Sequence, residues 1–297
     1  MKHTIFFLLT LALCWGCISD REPDARSKVT VELTVRPDPM TTTTRTTDEA
    51  AIRDLNFYLI DRKGAVVLYR YLTATTLRFE CLPGDYLVRI AANVGRSLGE
   101  TADLFQYKVT YQEHYNMLPM FCEQKTTISL SSDGVVQLPP ITVKRVVSKI
   151  SYNLTAKPAD LELKSVQLIS IPRTAVVFAP DGTAADNPDD YTDSPETTLT
   201  GQRAAGSYYM LPNRQGVNTS ITDQKQKNAD NAPACASWLL IRATRGSKVL
   251  AYSVYLGENN TSDFNVRANS HYTLNITLLN DNTADTRIAS YTATVYD

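Results

Sequence analysis

The chain has 297 residues, enough for one large domain or two domains of average size with real cores. Its 30 basic and 31 acidic residues give a formal net charge of −1, which argues against a nucleic-acid-binding protein. Sixteen tyrosines and many threonines and valines favour strands over helices. Because no apolar stripe of helical period is long enough to predict a helix, we expect an all-β fold.

The N-terminus has the pattern of an export signal. A short basic start is followed by the apolar run 5–13, which is too short to span a membrane. The pair Gly16-Cys17 resembles the lipobox of bacterial lipoproteins, in which the cysteine is acylated. We therefore predict a signal peptide at 1–16, lipidation at Cys17 and a lipidated acidic tether at 17–27. The alternative is an ordinary secretion signal with an incidental cysteine.

Residues 28–36 predict the first strand, because apolar and polar side chains alternate with a period of two. The apolar positions are Val29, Val31, Leu33 and Val35. Pro37 ends the strand, since a proline nitrogen cannot donate to a sheet ladder. One face of this strand is expected to be buried in a core.

The segment after the first strand predicts an accessible linker. Residues 41–47 contain no apolar anchor, and their one basic residue is Arg45. The next strand begins at Leu55. A trypsin-like protease could therefore cut after Arg45, and residues 28–45 are predicted to be a removable strand with its linker.

The rest of the chain predicts further strands and two domains. Turn residues and alternation place the strands at 65–71, 77–81, 86–92, 127–130, 135–138, 141–155, 161–171, 174–179, 237–243, 249–256 and 271–279. Residues 131–134 predict a hairpin turn, and 180–236 are expected to be mostly loop. The long run 141–155 could leave one sandwich and enter the next. We place the boundary near Ser148, between domains at 28–148 and 149–279.

The C-terminal residues predict a tethered strand. Residues 280–286 are a polar linker, and the strand after it has no obvious partner in its own sheet. Its alternating apolar residues are Ala289, Tyr291, Ala293 and Val295. Residues 280–297 are therefore a linker and a candidate donor strand.

The sequence predicts no enzyme. It contains no metal-ligand spacing, glycine-rich phosphate loop or catalytic motif, so we assign no catalytic, metal or cofactor site. His271 is expected to be a solvated strand residue. The cysteines beyond the signal, Cys81, Cys122 and Cys235, allow at most one disulfide, and their pairing is open. Cys81 shares the apolar phase of its strand and is expected to be a buried, inert thiol.

Short segments along most of the chain resemble the fimbrillin superfamily, the lipoprotein-derived subunits of type V pili in Gram-negative anaerobes. The segments are Gly16-Cys17, 29–35 (VTVELTV), 55–58 (LNFY), 83–86 (PGDY), 92–95 (ANVG), 118–120 (LPM), 144–150 (KRVVSKI), 208–213 (YYMLPN), 255–259 (YLGEN) and 263–272 (DFNVRANSHY). The resemblance implies two tandem transthyretin-like β-sandwich domains. It also implies that a protease removes the first strand after an arginine, and that a neighbouring subunit's C-terminal strand fills the groove.

These features give a functional expectation with alternatives. We expect a fimbrial subunit of the cell surface that is anchored in the outer membrane by lipid on Cys17 and polymerises with other pilus subunits. Within the same family, an anchor would keep the first strand and a tip would lack the donor strand. A third possibility is a monomeric surface lipoprotein that binds glycan or host protein through the loops at 180–236.

Overall fold

The computed structural model describes residues 27–39, 47–100, 106–132, 134–182, 184–280 and 286–295. These residues form 22 β-strands and three short 3-10 helices, and no α-helix occurs among them. Within the same ranges, no helix has the length and apolar character needed to cross a membrane. The prediction of an all-β fold is confirmed.

The first half of the chain contains nine strands. They are β1 (Val29–Pro37), β2 (Leu55–Ile60), β3 (Val66–Leu72), β4 (Thr76–Cys81), β5 (Gly84–Ala92), β6 (Lys108–Thr110), β7 (Met120–Ile128), β8 (Val135–Gln137) and β9 (Ile141–Arg145). The main path of their sheet runs β3-β2-β5-β7-β9-β1-β4, and β8 lies beside β1. The apolar faces of these strands enclose one core.

The second half contains the other thirteen strands. They are β10 (Ser148–Ala156), β11 (Leu161–Ile169), β12 (Ile171–Pro172), β13 (Thr174–Val176), β14 (Tyr191–Thr192), β15 (Thr197–Thr198), β16 (Arg203–Met210), β17 (Asn213–Val217), β18 (Trp238–Arg245), β19 (Lys248–Tyr255), β20 (Asp263–Val266), β21 (Ser270–Leu278) and β22 (Thr286–Val295). The 3-10 helices are Thr47–Ala50, Pro188–Asp190 and Gln224–Gln226.

Two four-stranded sheets form a sandwich in this second half. Their orders are β16-β10-β21-β22 and β15-β11-β18-β19. Both sheets contribute to one apolar core, which includes Ile150 and Leu274 from the first sheet and Leu168 and Ile241 from the second. The alternation of β10 and β21 explains this arrangement, because every second residue of each strand is buried.

The run predicted as one long strand at 141–155 divides into β9 and β10. Val146 and Val147 separate them and are both buried. β9 belongs to the first sheet and β10 to the second-half sandwich, so the chain passes from one core to the other at this point. We retain Ser148 as the proposed domain boundary.

Contacts also join the two halves away from this crossing. β13 pairs antiparallel with β6, with Ala175 opposite Val109. The Arg89 guanidinium lies 5.4 Å from the centre of the Phe178 ring. The strand predicted near 174–179 therefore exists in shorter form, but its partner belongs to the first half of the chain.

One other expectation is wrong. β8 pairs in parallel with β1 rather than forming a hairpin with β7 across residues 131–134. The described part of the segment 180–236 lies mostly outside strands, as expected, but it contains the unpredicted strand β16, which pairs with β10 over eight residues. A Cβ at Gly206 in β16 would overlap the hydroxyl of Tyr152. A glycine is needed where this strand crosses the tyrosine, and it interrupts the alternation by which a strand is predicted.

The three cysteines that the structure describes are free and buried: Cys81, Cys122 and Cys235. The prediction of a buried thiol at Cys81 is confirmed. Burial raises the pKa of the Cys122 thiol to about 11. A protonated thiol in an apolar core is a weak nucleophile, so these groups act as packing residues.

A buried lysine organises the loop between β19 and β20. The Nζ of Lys227 donates a hydrogen bond to the Asn259 carbonyl oxygen at 2.6 Å. It also lies 5.1 Å from the centre of the Phe264 ring. Burial lowers the pKa of Lys227 to about 7, although the Asp263 carboxylate opposes this shift.

This lysine predicts a pH dependence of stability. In the unfolded chain Lys227 has a pKa near 10.5, so between about pH 7 and 10.5 the unfolded state binds a proton that the folded state lacks. The free energy of unfolding should therefore rise with pH in this window, by up to about 1.4 kcal/mol per pH unit. Urea titrations from pH 7 to 9.5 measure the slope. Lys227→Met should flatten it and the exposed control Lys225→Met should not; equal slopes in both variants would contradict the assignment.

Candidate functional site: the first strand and its linker junction

The first strand is an interior strand of its sheet. β1 pairs antiparallel with β4 from Val29 opposite Cys81 to Thr34 opposite Thr76. On its other edge it pairs in parallel with β8 and then with β9. Removing β1 would therefore leave unpaired backbone donors and acceptors on both sides of a groove.

The inward side chains of β1 are almost completely buried. Their exposed fractions are 1% for Val29, 0% for Val31, 3% for Leu33 and 2% for Val35. This confirms the prediction of a half-buried first strand. The groove beneath them is apolar, because the facing side chains of β4 are Leu77, Phe79 and Cys81.

The outward face of β1 carries one charged contact. Glu32 lies 3.1 Å from an Arg78 guanidinium nitrogen and accepts a hydrogen bond from the Gln137 amide. Arg78 is mostly exposed, so this ion pair contributes little to stability. The ion pair nevertheless places an acidic residue, Glu32, at the middle of β1, opposite the basic residue Arg78 of β4.

Arg145 holds both ends of the linker. It is 3% exposed and lies at the end of β9. Its Nη1 donates to the carbonyl oxygen of Asp38 at 3.1 Å, and its Nε donates to the carbonyl oxygen of Glu49 at 3.0 Å. Asp38 follows β1 and Glu49 lies in the 3-10 helix after the linker, so one guanidinium fixes the chain on both sides of 40–46.

The second half of the chain completes this junction. Asn269 donates from Nδ2 to the Asp38 carboxylate at 2.7 Å and accepts the Arg145 backbone N–H at 3.0 Å. Lys149 contacts the Glu49 carboxylate at 2.6 Å, and the Tyr209 hydroxyl donates to the same carboxylate. The linker thus begins and ends where the two halves of the chain meet.

Burial at the junction favours the neutral forms of Tyr209 and His271. Burial, and then the neighbouring Glu49, raise the pKa of Tyr209, so the phenol remains a hydrogen-bond donor at neutral pH. Burial and then Lys149 lower the pKa of His271, whose Nε2 lies 2.8 Å from the Ser151 hydroxyl. His271 is therefore partly buried and hydrogen-bonded, and the expectation of a solvated residue is wrong.

The predicted processing residues lie outside the described residues. Neither Cys17 nor Arg45 is among them, so lipidation and cleavage stay predictions. The candidate donor residues Ala289, Tyr291, Ala293 and Val295 lie on β22, at the edge of the second-half sheet.

The expectation that the C-terminal strand has no partner in its own sheet is wrong. β22 pairs antiparallel with β21, from Ser270 opposite Val295 to Leu278 opposite Thr286. A bulge near Ala289 shifts the register and places Ile288 opposite Ile276. The donor role of β22 stays a prediction. It requires β22 to detach from β21 before it can enter a neighbouring subunit.

The site consists of a buried interior strand and a polar junction that holds the two ends of its linker. Within the described ranges, no group of three or more His, Cys, Asp or Glu side chains is placed to hold a metal ion. Arg145, Asn269 and Glu49 were not predicted from the sequence. The available signal was weak: Arg145 stands directly before the apolar pair Val146-Val147, but Lys144 and Lys149 in the same stretch carry the same charge.

Parts of the chain match a known family, and its fold matches known structures. A family model described as a domain of unknown function, DUF4906, matches residues 208–276. The search of curated proteins gave no match to the chain. The tip fimbrial protein Mfa3 of Porphyromonas gingivalis, solved with a C-terminal truncation, has a TM-score of 0.63 at 16% identity. That comparison covers 91% of this chain and 100% of the other.

A fimbrilin of Porphyromonas gingivalis also has a similar structure. Its TM-score is 0.58 at 13% identity, and the comparison covers 89% of this chain and 96% of the fimbrilin. Both comparisons extend over the two halves of the chain. The protein therefore shares its fold with these two fimbrial proteins.

Proposed function

We propose that this protein is a structural subunit of a cell-surface fimbria that is assembled by exchange of its first strand. The observation that carries the proposal is the position of β1, an interior strand whose chain continues into a linker pinned at both ends. The similar structures support a fimbrial role, since their names describe a tip fimbrial protein and a fimbrilin.

The exchange follows from backbone and side-chain physics. Cleavage after Arg45 separates β1 from the rest of the chain. Loss of β1 exposes ladder groups and apolar pockets together, and a strand from a neighbouring subunit can satisfy both. Ladder hydrogen bonds supply affinity, and alternating side chains fix the register.

The donor in the proposed assembly is a C-terminal strand. Ala289, Tyr291, Ala293 and Val295 supply the alternating positions in this chain. As an edge strand, β22 is bonded on one side only, and the seven residues 279–285 separate it from β21 in sequence. It can therefore detach at lower cost than an interior strand.

Cleavage is tested by substituting the proposed arginine. Arg45→Ala should leave the exported protein uncut and unassembled, while wild type yields a chain beginning at Thr46. The control Arg36→Ala should still be cut, because Arg36 precedes Pro37 and is a poor site for a trypsin-like protease. Polymers formed by uncut Arg45→Ala protein would overturn strand exchange as the assembly mechanism.

Export as an outer-membrane lipoprotein precursor is a separate part of the proposal. Cys17→Ala should abolish incorporation of a labelled fatty acid and release the protein from the membrane fraction. Labelling that persists in the variant would exclude Cys17 as the lipidated residue. An anchor subunit is distinguished in the same preparation, since it would keep both lipid and first strand in the assembled fimbria.

A further inference from the structure

We infer that the groove under β1 accepts a strand from a different kind of subunit and rejects the C-terminal strand of this chain. The inference rests on the proposed function, in which a donor strand replaces β1. It goes further by identifying the chemistry of the donor. The evidence is a comparison of the groove with the two strands that this sequence could place in it.

The groove is shaped for medium-sized aliphatic side chains. Its inward positions are occupied by Val29, Val31, Leu33 and Val35, none of them more than 3% exposed. Val31 lies opposite Phe79, whose ring centre is 5.6 Å from that of Phe57. This packing leaves little room for a side chain larger than valine at the position of Val31. The β4 side chains opposite Val31 and Leu33 contain no oxygen or nitrogen that could bind a polar group.

The C-terminal strand does not match these positions. Only one of its phases has four apolar residues, namely Ala289, Tyr291, Ala293 and Val295. Inserted in the direction of β1, it places alanines at the positions of Val29 and Leu33 and the tyrosine at that of Val31. Inserted in reverse, it places alanines at Val31 and Val35 and the tyrosine at Leu33. Either direction creates cavities and also buries a phenol without a polar partner.

The outward face of the C-terminal strand also differs from that of β1. Glu32 of β1 faces Arg78 and receives a hydrogen bond from Gln137. In both insertion directions the residue of the tail at this position is Thr292, which carries no charge. A matched acid adds little affinity at an exposed site, but it helps to fix register and to select the partner.

The donor predicted by the groove therefore has a defined pattern. It carries four aliphatic residues at alternating positions, mostly β-branched, and an acidic residue midway along the opposite face. Its source is a second type of subunit with such a strand. In the resulting fimbria this protein is a member of a mixed polymer or a terminal subunit, and its own tail enters a groove of different shape.

Strand exchange in the cut protein tests this inference. The full chain is cut at Arg45, and a fluorescent label on the retained first strand reports its release when excess peptide is added. The peptides are residues 28–37, residues 286–297, and the second peptide with Ala289→Val, Tyr291→Val, Ala293→Leu and Thr292→Glu. We expect the first and third peptides to displace the labelled strand, and the native tail to be at least ~100-fold weaker.

The outcomes separate the inference from the proposed function. A native tail that displaces the strand as well as residues 28–37 do overturns the inference and leaves strand exchange in place. A redesigned tail no better than the native tail also overturns it. If the peptide 28–37 fails to displace the labelled first strand even in mild denaturant, the strand does not exchange and the proposed function itself is wrong.

Discussion

A chain that begins at Thr46 is expected to lose most of its folding stability. It lacks the four inward side chains of β1, which are at most 3% exposed. At about 1.5–3 kcal/mol for each buried side chain, their loss amounts to roughly 6–12 kcal/mol before any ladder bonds are counted. Typical domains are stable by about 5–15 kcal/mol, so the first-half core should unfold or persist only marginally.

Urea denaturation checks this expectation against a chain that begins at Lys28 and retains β1. Addition of the peptide 28–37 to the shortened chain should restore the unfolding midpoint in a concentration-dependent manner. An unchanged midpoint in the shortened chain would show that β1 is dispensable. The expected loss has a consequence for assembly. If the subunit unfolds without β1, the donor strand must begin to enter the groove before β1 has left it completely.

Substitution of Arg145 is expected to have the second-largest effect. Arg145→Met removes two charge-assisted hydrogen bonds to the carbonyl oxygens of Asp38 and Glu49. At about 1.5–3 kcal/mol each, the loss should reach roughly 3–6 kcal/mol. The variant should also release β1 faster once the linker is cut, because Asp38 loses its contact with the guanidinium and keeps only the Asn269 side chain and the bond from its own N–H to the Val143 carbonyl oxygen.

The matched control is Arg78→Met. Arg78 also pairs with a residue of the first strand, but it is exposed and should cost at most about 1 kcal/mol. Urea denaturation measures the stability of each variant. The rate at which a labelled first strand leaves the cut protein measures how firmly the junction holds β1. Equal release rates in the two variants would show that Arg145 has only a local packing role.

Local sequence patterns predicted the elements that are governed by alternation. β1, β10 and β21 each bury every second residue, and a period of two in the sequence is enough to predict such strands. Segments without that period were missed, as β16 shows. Its Gly206 is required by close contact with Tyr152, which no local pattern reveals.

Strand partners could not be predicted for the same reason. β8 joins β1 although the two strands lie far apart in the chain. β22 follows β21 closely in the sequence, but its own alternation does not show whether it pairs with that strand or with another. The junction is the extreme case, because Asn269 contacts Asp38 across 231 positions in the sequence. Only the fold brings these polar residues to one point, and there they place the linker between two fixed ends.

The peptide content of assembled fimbriae tests strand exchange most directly. Quantitative mass spectrometry compares a peptide from 28–36 with one from 84–92, which belongs to an interior strand that no step removes. We expect the protein in the fimbria to begin at Thr46 and the 28–36 peptide to be absent. Equal molar amounts of the two peptides, with Cys17 still at the N-terminus, would contradict strand exchange in this subunit.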